Sequence, residues 1–420
     1  MTPGLVIKLR PTTPWRTGSG SGAREQVEPA YHSDSLYSAV TSAMASLGVL
    51  EEWLDATARA PAGPAVRFSS AFPFLGDVLL IVPPKSVWPP APSPRIRWKS
   101  ARFVPTTLIE LLLKRRTPDE DRWAVDGASG CLIPAGAQGP FRAAVRFRAA
   151  VDRLAGGVET HSAACLEFSP GAGLWLAAAF AGEPEKERWL GLVEAAFRWL
   201  ADSGFGGERS SGWGRAETPE FLEGVFPDMI FPPATLALPE RTPHRGEAEQ
   251  EAQPPAETAY WLLSLFAPGS ADSVDWQRGV YGLLPRGGRV ESAAGWGQVK
   301  KTLNMIEEGS VLLAGTPLKG SARDVAPDGF PHPVYRAGFA LAVPVPWHAP
   351  VNQRTVAKPA PVPKPEPEAP PEPAAPAAGP ETAAPPETPA AEPEAVPPPE
   401  APAAEPEQAP GDEGPEKEAQ

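Results

Sequence analysis

Cysteine is scarce in this sequence, and long apolar runs are absent. The 420 residues include two cysteines, Cys131 and Cys165, which are too few for a disulfide framework and lack metal-ligand spacing. Two reduced thiols are the simpler interpretation. The longest apolar stretch, around residues 174–180, is far shorter than the roughly 20 residues that a membrane span requires. The first residues carry a proline and two basic side chains and do not resemble a signal peptide, so we expect a cytoplasmic protein.

Histidine is also rare. Among the five histidines, no two have the spacing of zinc ligands. We therefore expect no metal site and no cofactor.

Aromatic residues are missing from residues 351–420, which hold 21 of the 57 prolines and 14 of the 51 acidic residues but only 4 of the 38 basic ones. Such a composition cannot bury enough apolar surface to offset the entropy of ordering, so we expect a disordered, acidic, Pro/Glu-rich tail over 349–420. The rest of the chain keeps 34 basic and 37 acidic residues, a net charge near −3. Any affinity of this part for nucleic acid must come from local basic clusters.

The apolar pattern of residues 1–240 predicts an α+β domain. A helix is expected over 36–47, with Ser33 or Asp34 as its N-cap, and another helix, the clearest in the chain, over 186–203. Strands are predicted at 5–9, 66–72, 77–82 and 217–222, with a helix at 106–116 and a long hairpin within 141–180. The predicted elements follow the order strand, helix, two strands, an insertion, helix, strand. This is the order of a ferredoxin-like, RNA-recognition-type fold.

A polar linker over 241–257 leads to a smaller domain over 258–348. Its pattern predicts several strands, a turn at Arg286-Gly287-Gly288 and a helix near 298–308. We interpret this domain as a second, more degenerate ferredoxin-like unit.

The stretch GFGGERSSGWGR, residues 204–215, contains five glycines and two arginines. Amides of glycine-rich segments can form anion sites, and Arg209 and Arg215 add positive charge. A Walker A loop needs Lys-Ser/Thr after its glycines, whereas Gly207 is followed by Glu208. Nucleotide loops also lead from a strand into a helix, the reverse of the order here. A plain flexible connector is the alternative to a phosphate-binding loop.

This segment, placed after an amphipathic helix, resembles the glycine-rich loop of the RAMP proteins of CRISPR systems. Further stretches sharpen the likeness: HSDSLYSAV at 32–40, FSSAFPFLGD at 68–77, VDRLAGG at 151–157, and the later EEGSVLLAG and HPVYRAGFALAVPVP. Together they resemble the fourth subunit of the type III-A, or Csm, effector complex. The resemblance spans nearly all of residues 1–348 and ends at the tail.

The resemblance implies a non-catalytic subunit that binds the 5′ repeat-derived tag of a crRNA in antiviral defence, similar to the five-prime-end capping proteins of other CRISPR complexes. It implies docking on a large polymerase-like subunit and contact with a backbone subunit. A protruding hairpin, the thumb, would correspond to residues 141–168. Main-chain amides at the exit of the 186–203 helix would hold the RNA phosphates.

The candidate RNA-binding residues lie in the HSD motif, the first loop, the hairpin and the glycine-rich segment. They are His32, Ser33, Arg16, Arg24, Arg146, Arg148, Asp152, Arg153, Gly204, Gly206, Gly207, Arg209, Ser210, Ser211, Gly212, Gly214 and Arg215. Arg146 and Arg148 alternate on one strand face, for which an ordinary solvated surface is the alternative.

His32 leaves other functions open. Relatives of the same superfamily that process repeat RNA use a histidine near the first helix as a general acid or base, because imidazole titrates near neutral pH. The resemblance favours packing or RNA contact for His32, and a metal-independent endoribonuclease is the alternative. A scaffold that acts through the Pro/Glu-rich tail is a third interpretation.

Overall fold

The first strand of the chain already belongs to the central sheet of the protein. The computed structural model describes residues 1–18, 25–151, 156–231, 257–292 and 295–347. The tail at 349–420, the linker at 241–256 and the predicted RNA-binding residues Arg24, Asp152 and Arg153 lie outside these described residues.

The N-terminal part combines four helices with eleven strands within its described residues. They are β1 (Thr2–Leu9), α1 (Ser33–Ser46), α2 (Leu50–Ala56), β2 (Val66–Phe68), β3 (Phe72–Leu75), β4 (Val78–Ile81), β5 (Val104–Pro105), α3 (Thr106–Leu113), β6 (Trp123–Asp126), β7 (Cys131–Pro134), β8 (Phe141–Val151), β9 (Val158–Phe168), β10 (Ala172–Phe180), α4 (Glu183–Ser203) and β11 (Glu220–Phe226).

The central sheet has seven strands in the order β11-β1-β10-β3-β4-β5, and β2 also pairs with β10. The strand β1 lies between β10 and β11, antiparallel to both, with Gly4 opposite Ala179 and Leu9 opposite Leu174. The strand β10 is buried at every position because both faces of the sheet are covered. This explains its continuous apolar sequence.

One face of the sheet is covered by α1 and α4. The apolar stripe of α4, which includes Trp189, Val193 and Phe197, is fully buried together with Leu36 and Val40 of α1. Spacing of three and four residues places these side chains on one side of each helix, as the sequence predicts. The helices therefore hold the segments that follow them, including the glycine-rich loop after α4, against the sheet.

The hairpin inserted between α3 and β10 consists of β8 and β9, which pair with each other over eleven positions from Phe141–Phe168 to Val151–Val158. Eleven residues of strand correspond to a length of about 35 Å. An antiparallel bridge between Leu166 and Trp15, a residue of the loop after β1, joins the base of the hairpin to the rest of the protein. The hairpin is therefore a separate two-stranded arm.

The C-terminal part consists of strands and contains no helix within residues 257–292 and 295–347. Its strands are β12 (Thr258–Leu262), β13 (Val274–Val280), β14 (Leu283–Arg286), β15 (Arg289–Ser292), β16 (Gly295–Val299), β17 (Leu303–Ile306), β18 (Val311–Ala314), β19 (Gly320–Asp324), β20 (Tyr335–Phe339) and β21 (Ala342–Pro346). The helix predicted near 298–308 is wrong. The segment instead pairs with β14, and Ile306 exchanges two backbone hydrogen bonds with Phe266, so tertiary pairing overrides local propensity.

The two parts share a hydrophobic core. Trp261 and Val311 of the C-terminal strands pack in one buried cluster with Phe74 and Trp175 of the central sheet. No helix in the described ranges is long and apolar enough to span a membrane.

Candidate nucleic-acid interface

The glycine-rich loop turns sharply at the end of α4. Gly204, Gly206, Gly212 and Gly214 all have positive φ angles, between 73° and 97°. A Cβ atom on Gly214 would lie 2.0 Å from the carbonyl oxygen of Phe205, and one on Gly206 would lie 2.3 Å from that of Arg16. The glycines are therefore required by backbone conformation and by close backbone approach.

The expected cradle of free amides is wrong for most of this loop. The amides of six residues donate hydrogen bonds inside the protein at 2.8–2.9 Å: Gly204 to Leu200 O, Phe205 to Gly214 O, Gly207 to Arg16 O, Gly212 to Arg209 O, Gly214 to Pro14 O, and Arg215 to Thr13 Oγ1. These donors are already satisfied, so they do not point at a phosphate. Binding of an anion here must rest on side chains and on the remaining backbone.

The loop after β1 supplies the acceptors for three of these amides. Residues 11–16 run beneath the glycine-rich loop and accept its hydrogen bonds, and Trp15 is buried in a stack on Phe205 with ring centroids 5.0 Å apart. Arg16 donates from Nη1 to the carbonyl oxygen of Ala164 on β9, at 2.9 Å. Three segments distant in sequence are thus joined at the base of the hairpin.

Arg148 links the hairpin directly to the glycine-rich loop. Its guanidinium lies 4.7 Å above the ring of Trp213, and Nη1 donates to Oε2 of Glu208 at 2.9 Å and also to Ser211. Cation–π contact and charged hydrogen bonds together fix the outer half of the arm to the loop, because Arg148 is at the eighth of the eleven paired positions counted from the base. Arg146, two residues away on the same strand face, pairs with Glu167.

The opposite face of the arm is apolar and open to solvent. Val145, Phe147 and Val151 of β8 and Val158 of β9 are exposed, and Phe147 is 76 % exposed. Alternation along the strand places all of them on one face. Large apolar side chains left open on a two-stranded arm are typical of a surface that meets a partner.

The HSD motif forms the beginning of α1, but its capping differs from the prediction. His32, not Ser33 or Asp34, occupies the N-cap position, and it makes no side-chain capping bond. Ser70 Oγ instead accepts the amide of Ser33 at 2.8 Å, while the Ser33 hydroxyl accepts the amide of Leu265 at 3.0 Å. The start of α1 is therefore capped by Ser70 from another part of the fold, while Asp34 Oδ1 accepts the amide of Ser35.

His32 is buried between two carboxylates. Its Nδ1 lies 2.8 Å from Oε1 of Glu308 and its Nε2 lies 2.9 Å from Oε2 of Glu28. Burial alone would lower the pKa of His32, but the charge of Glu308 and the hydrogen bonds to both carboxylates outweigh it and raise the pKa to about 9. The imidazolium donates from both ring nitrogens to carboxylates of the protein itself.

Asp34 lies beside this cluster and joins α1 to the C-terminal strands. It accepts hydrogen bonds from Nε and Nη2 of Arg286, both at 3.0 Å, and from Nη1 of Arg336. Burial raises the pKa of Asp34, but the two guanidinium groups outweigh this effect and hold the pKa at about 2. With His32, Glu28 and Glu308, the cluster contains three positive and three negative groups and is internally neutral.

A cleft of about 400 Å³ runs between α1, the glycine-rich loop and the C-terminal strands. Within its described lining, five side chains are cationic and one, Asp34, is acidic. The cations are Arg209, Arg286, Arg289, Lys300 and Arg336. A smaller cavity of about 150 Å³ shares Gly206, Gly207 and Arg286 with the cleft and reaches Arg16 and His32. The described lining of the cleft therefore carries more basic than acidic side chains, and we call it the positive cleft.

Some of the predicted RNA-binding residues line this cleft and others lie elsewhere. Gly204, Gly206, Gly207 and Arg209 line it, whereas Arg146 lies on the arm. Ser210, Ser211 and Arg215 are exposed elsewhere on the loop, and His32 and Ser33 are buried beneath it. RNA contact by these residues stays a prediction.

The sequence-based prediction missed the contribution of the C-terminal strands. Arg289 and Lys300 line the cleft, and Arg286 and Arg336 form its floor with Asp34. The turn Arg286-Gly287-Gly288-Arg289 carries a signal that could have found them, because it is a second glycine pair flanked by arginines. Among the described residues, no group of three or more His, Cys, Asp or Glu side chains is arranged to hold a metal ion.

Comparisons with known proteins agree with this architecture. Residues 256–345 match the model of the CRISPR Csm4 C-terminal domain. A chain in the crystal structure of a Csm3–Csm4 subcomplex of the type III-A CRISPR–Cas interference complex is similar, at 16% identity and a TM-score of 0.52, over 83% of this chain and 99% of that one. A chain in the crystal structure of a Csm1–Csm4 cassette in complex with cA4 is 18% identical, with a TM-score of 0.47, over 82% and 98% of the two chains. No curated protein sequence matches the chain.

Proposed function

We propose that this chain is a member of the Csm4 family of type III-A CRISPR proteins and that it binds the 5′ repeat-derived tag of a crRNA as a non-catalytic assembly subunit of a Csm complex. The observation that carries the proposal is the positive cleft between the glycine-rich loop and the Arg286–Arg289 turn. Two glycine-containing turns from distant parts of the chain face one space, with five cations and one acid around it.

The chemistry of the cleft suits single-stranded RNA. Arg286 and Arg336 pair with the buried carboxylate of Asp34, and Arg209, Arg289 and Lys300 lie around the same space. Cations spaced along an open groove can follow a phosphate backbone without reading its sequence. The groove therefore grips the backbone of a strand through side chains, in place of the amide cradle expected from the sequence.

The arm formed by β8 and β9 would separate the tag from the guide. Its apolar face, with Phe147 exposed near the middle of β8, offers a surface on which a base can stack. Arg148, one residue beyond Phe147 along β8, fixes the outer half of the arm to the glycine-rich loop, so the apolar face is held in a fixed position relative to the RNA in the cleft. We interpret this arm as the thumb of the family.

We interpret the N-terminal part as a ferredoxin-like domain. Its core order β1-α1-β2/β3-β10-α4-β11, with β8 and β9 inserted before β10, supports this interpretation. No such support exists for a second ferredoxin-like unit, because the described C-terminal strands have no helices between them.

A non-catalytic role is supported by the surroundings of His32. A general base needs a free nitrogen and a pKa near the working pH, whereas His32 uses both nitrogens to bind carboxylates and has a pKa of about 9. Incubation of the protein with repeat RNA tests this point directly. Specific cleavage that disappears in His32→Ala would establish the endoribonuclease instead.

Partner subunits follow from the same family membership. The similar crystal structure is that of a subcomplex of Csm3 with Csm4, and we propose a backbone subunit of the Csm3 kind and a large polymerase-like subunit as partners of this chain in the cytoplasm.

The cleft is tested by the salt dependence of tag binding. Each phosphate contact in single-stranded RNA contributes about 0.7 to the slope of log affinity against log salt. Arg209→Ala, Arg289→Ala and Lys300→Ala should each weaken binding of a labelled tag oligonucleotide and reduce this slope. Arg198→Ala is the matched control, because Arg198 is exposed on α4 and pairs with Glu194. A slope unchanged in all three cleft variants would exclude the cleft as the RNA site.

A further inference from the structure

A second cleft, of about 940 Å³, lies at the opposite end of α4 from the glycine-rich loop. It is bounded by the start of α4, the segment before β2 and the segment before β19. The 21 residues of α4 correspond to a length of about 30 Å, so this cleft is remote from the proposed RNA groove. Its walls are mainly small and apolar, and include Pro64, Pro317 and Leu318.

Arg67 of β2 lies in this cleft with an incomplete set of partners. Among the described residues, its Nε is buried without a hydrogen-bond acceptor, and Nη1 makes one long contact, 3.4 Å, to the carbonyl oxygen of Ala340. No carboxylate pairs with it within the described ranges. Burial lowers the pKa of Arg67, and no acidic group offsets that effect. Arg67 as a whole is partly buried, and a guanidinium that is largely withdrawn from water without an anion is costly for a folded protein.

The other basic side chains of the cleft have partners within the protein. Arg188 pairs with Glu52 at 2.8 Å and stacks on Trp189, and Lys319 donates to the carbonyl oxygen of Ala62 at 3.0 Å. Glu185 also lines the cleft, but no hydrogen bond joins it to Arg67. Arg67 is therefore the group to which an incoming ligand would supply the missing hydrogen-bond acceptor.

We propose that this cleft receives a carboxylate carried by an extended, apolar segment of a neighbouring protein subunit, with Arg67 as the receptor. A planar guanidinium binds a carboxylate through two parallel hydrogen bonds, and the walls of proline, alanine and leucine match apolar residues on either side of it. The described lining offers no exposed aromatic platform for bases, since Trp189 is 1 % exposed, which disfavours a nucleic acid. The identity of the partner rests on the proposed function.

The test compares full-length wild-type protein with Arg67→Met and Arg67→Lys. Binding to the purified large subunit and to the purified backbone subunit is measured for each, together with thermal stability and tag-RNA binding. Arg67→Met should lose at least about 30-fold affinity for one of the two subunits, as expected on removing one partner of a buried charge pair. Arg67→Lys should lose less, because it keeps the charge, and Arg198→Met, at an exposed ion pair with Glu194 outside this cleft, should change little.

The stability measurement separates a receptor from a structural role. An unsatisfied buried charge does not stabilise the free protein, so Arg67→Met should leave Tm unchanged or raise it. A Tm lowered by several degrees, or an equal loss of Tm in Glu185→Gln, would show that Arg67 has an internal partner and would overturn the proposal. Unchanged affinity for both subunits, wild-type protein that binds neither, or weakened tag binding would overturn it as well. If the wild-type protein does not bind the tag RNA, this would contradict the proposed function but not the role of Arg67.

Discussion

Nδ1 of His32 lies 2.8 Å from Oε1 of Glu308, a residue 276 positions further along the chain. This contact joins the first turn of α1 to the C-terminal strands beneath the glycine-rich loop. The sequence left a catalytic role for His32 open. In the structure His32 is a buried cation that holds two parts of the protein together.

The His32 cluster should make stability depend on pH above neutrality. The pKa of His32 is raised from 6.5 to about 9, so its contribution is fully present below pH 6.5 and is lost as the pH rises through 9. Urea unfolding should show a loss of roughly 2 to 3 kcal/mol between pH 7 and pH 10. His32→Gln should show much less of this loss, and an identical pH profile in both proteins would contradict the assignment.

Removal of the Asp34 carboxylate should be strongly destabilising. Asp34→Asn leaves the buried guanidinium groups of Arg286 and Arg336 without their anion, which should reduce the free energy of unfolding by about 3–5 kcal/mol. Asp55→Asn is the control, since Asp55 pairs with Arg59 on the surface and should change stability by less than about 1 kcal/mol. Similar losses in the two variants would mean that the buried pair has no special importance.

Alanine should be tolerated better at Gly212 of the glycine-rich loop than at Gly214. Gly212 and Gly214 have nearly the same φ, 79° and 82°, but a Cβ has open space at Gly212 and meets the Phe205 carbonyl oxygen at 2.0 Å at Gly214. Gly212→Ala should cost about 1–2 kcal/mol from the left-handed backbone alone. Gly214→Ala should cost at least about 3 kcal/mol because the backbone must also move. Chemical denaturation measures both, and equal costs would refute the close-packing explanation.

The exposed face of the arm should contribute to RNA binding without contributing to salt dependence. Phe147→Ala should weaken tag binding by about 1–3 kcal/mol, the usual value for loss of a base-stacking side chain. The slope of log affinity against log salt should stay the same, because no phosphate contact is removed. Leu222→Ala, at another exposed apolar residue, is the control. Unaltered affinity in Phe147→Ala would remove the arm from the binding surface.

The amino-acid sequence determined the elements that depend on local pattern. The apolar stripe of α4, the alternation of β8 and β9, and the glycines after α4 are visible in the sequence because period and turn chemistry act over a few residues. Family resemblance added the type of complex, since the matching segments follow one another in order.

Only the tertiary structure decided how these elements are used. Three of the loop amides donate to residues 11–16, His32 is enclosed by Glu28 and Glu308, and residues 303–306 become a strand. Each of these outcomes depends on partners up to hundreds of positions away, whose approach no local pattern encodes. The positive cleft arises in the same way, because Arg209 meets Arg289 and Lys300 only after the C-terminal strands pack against α1.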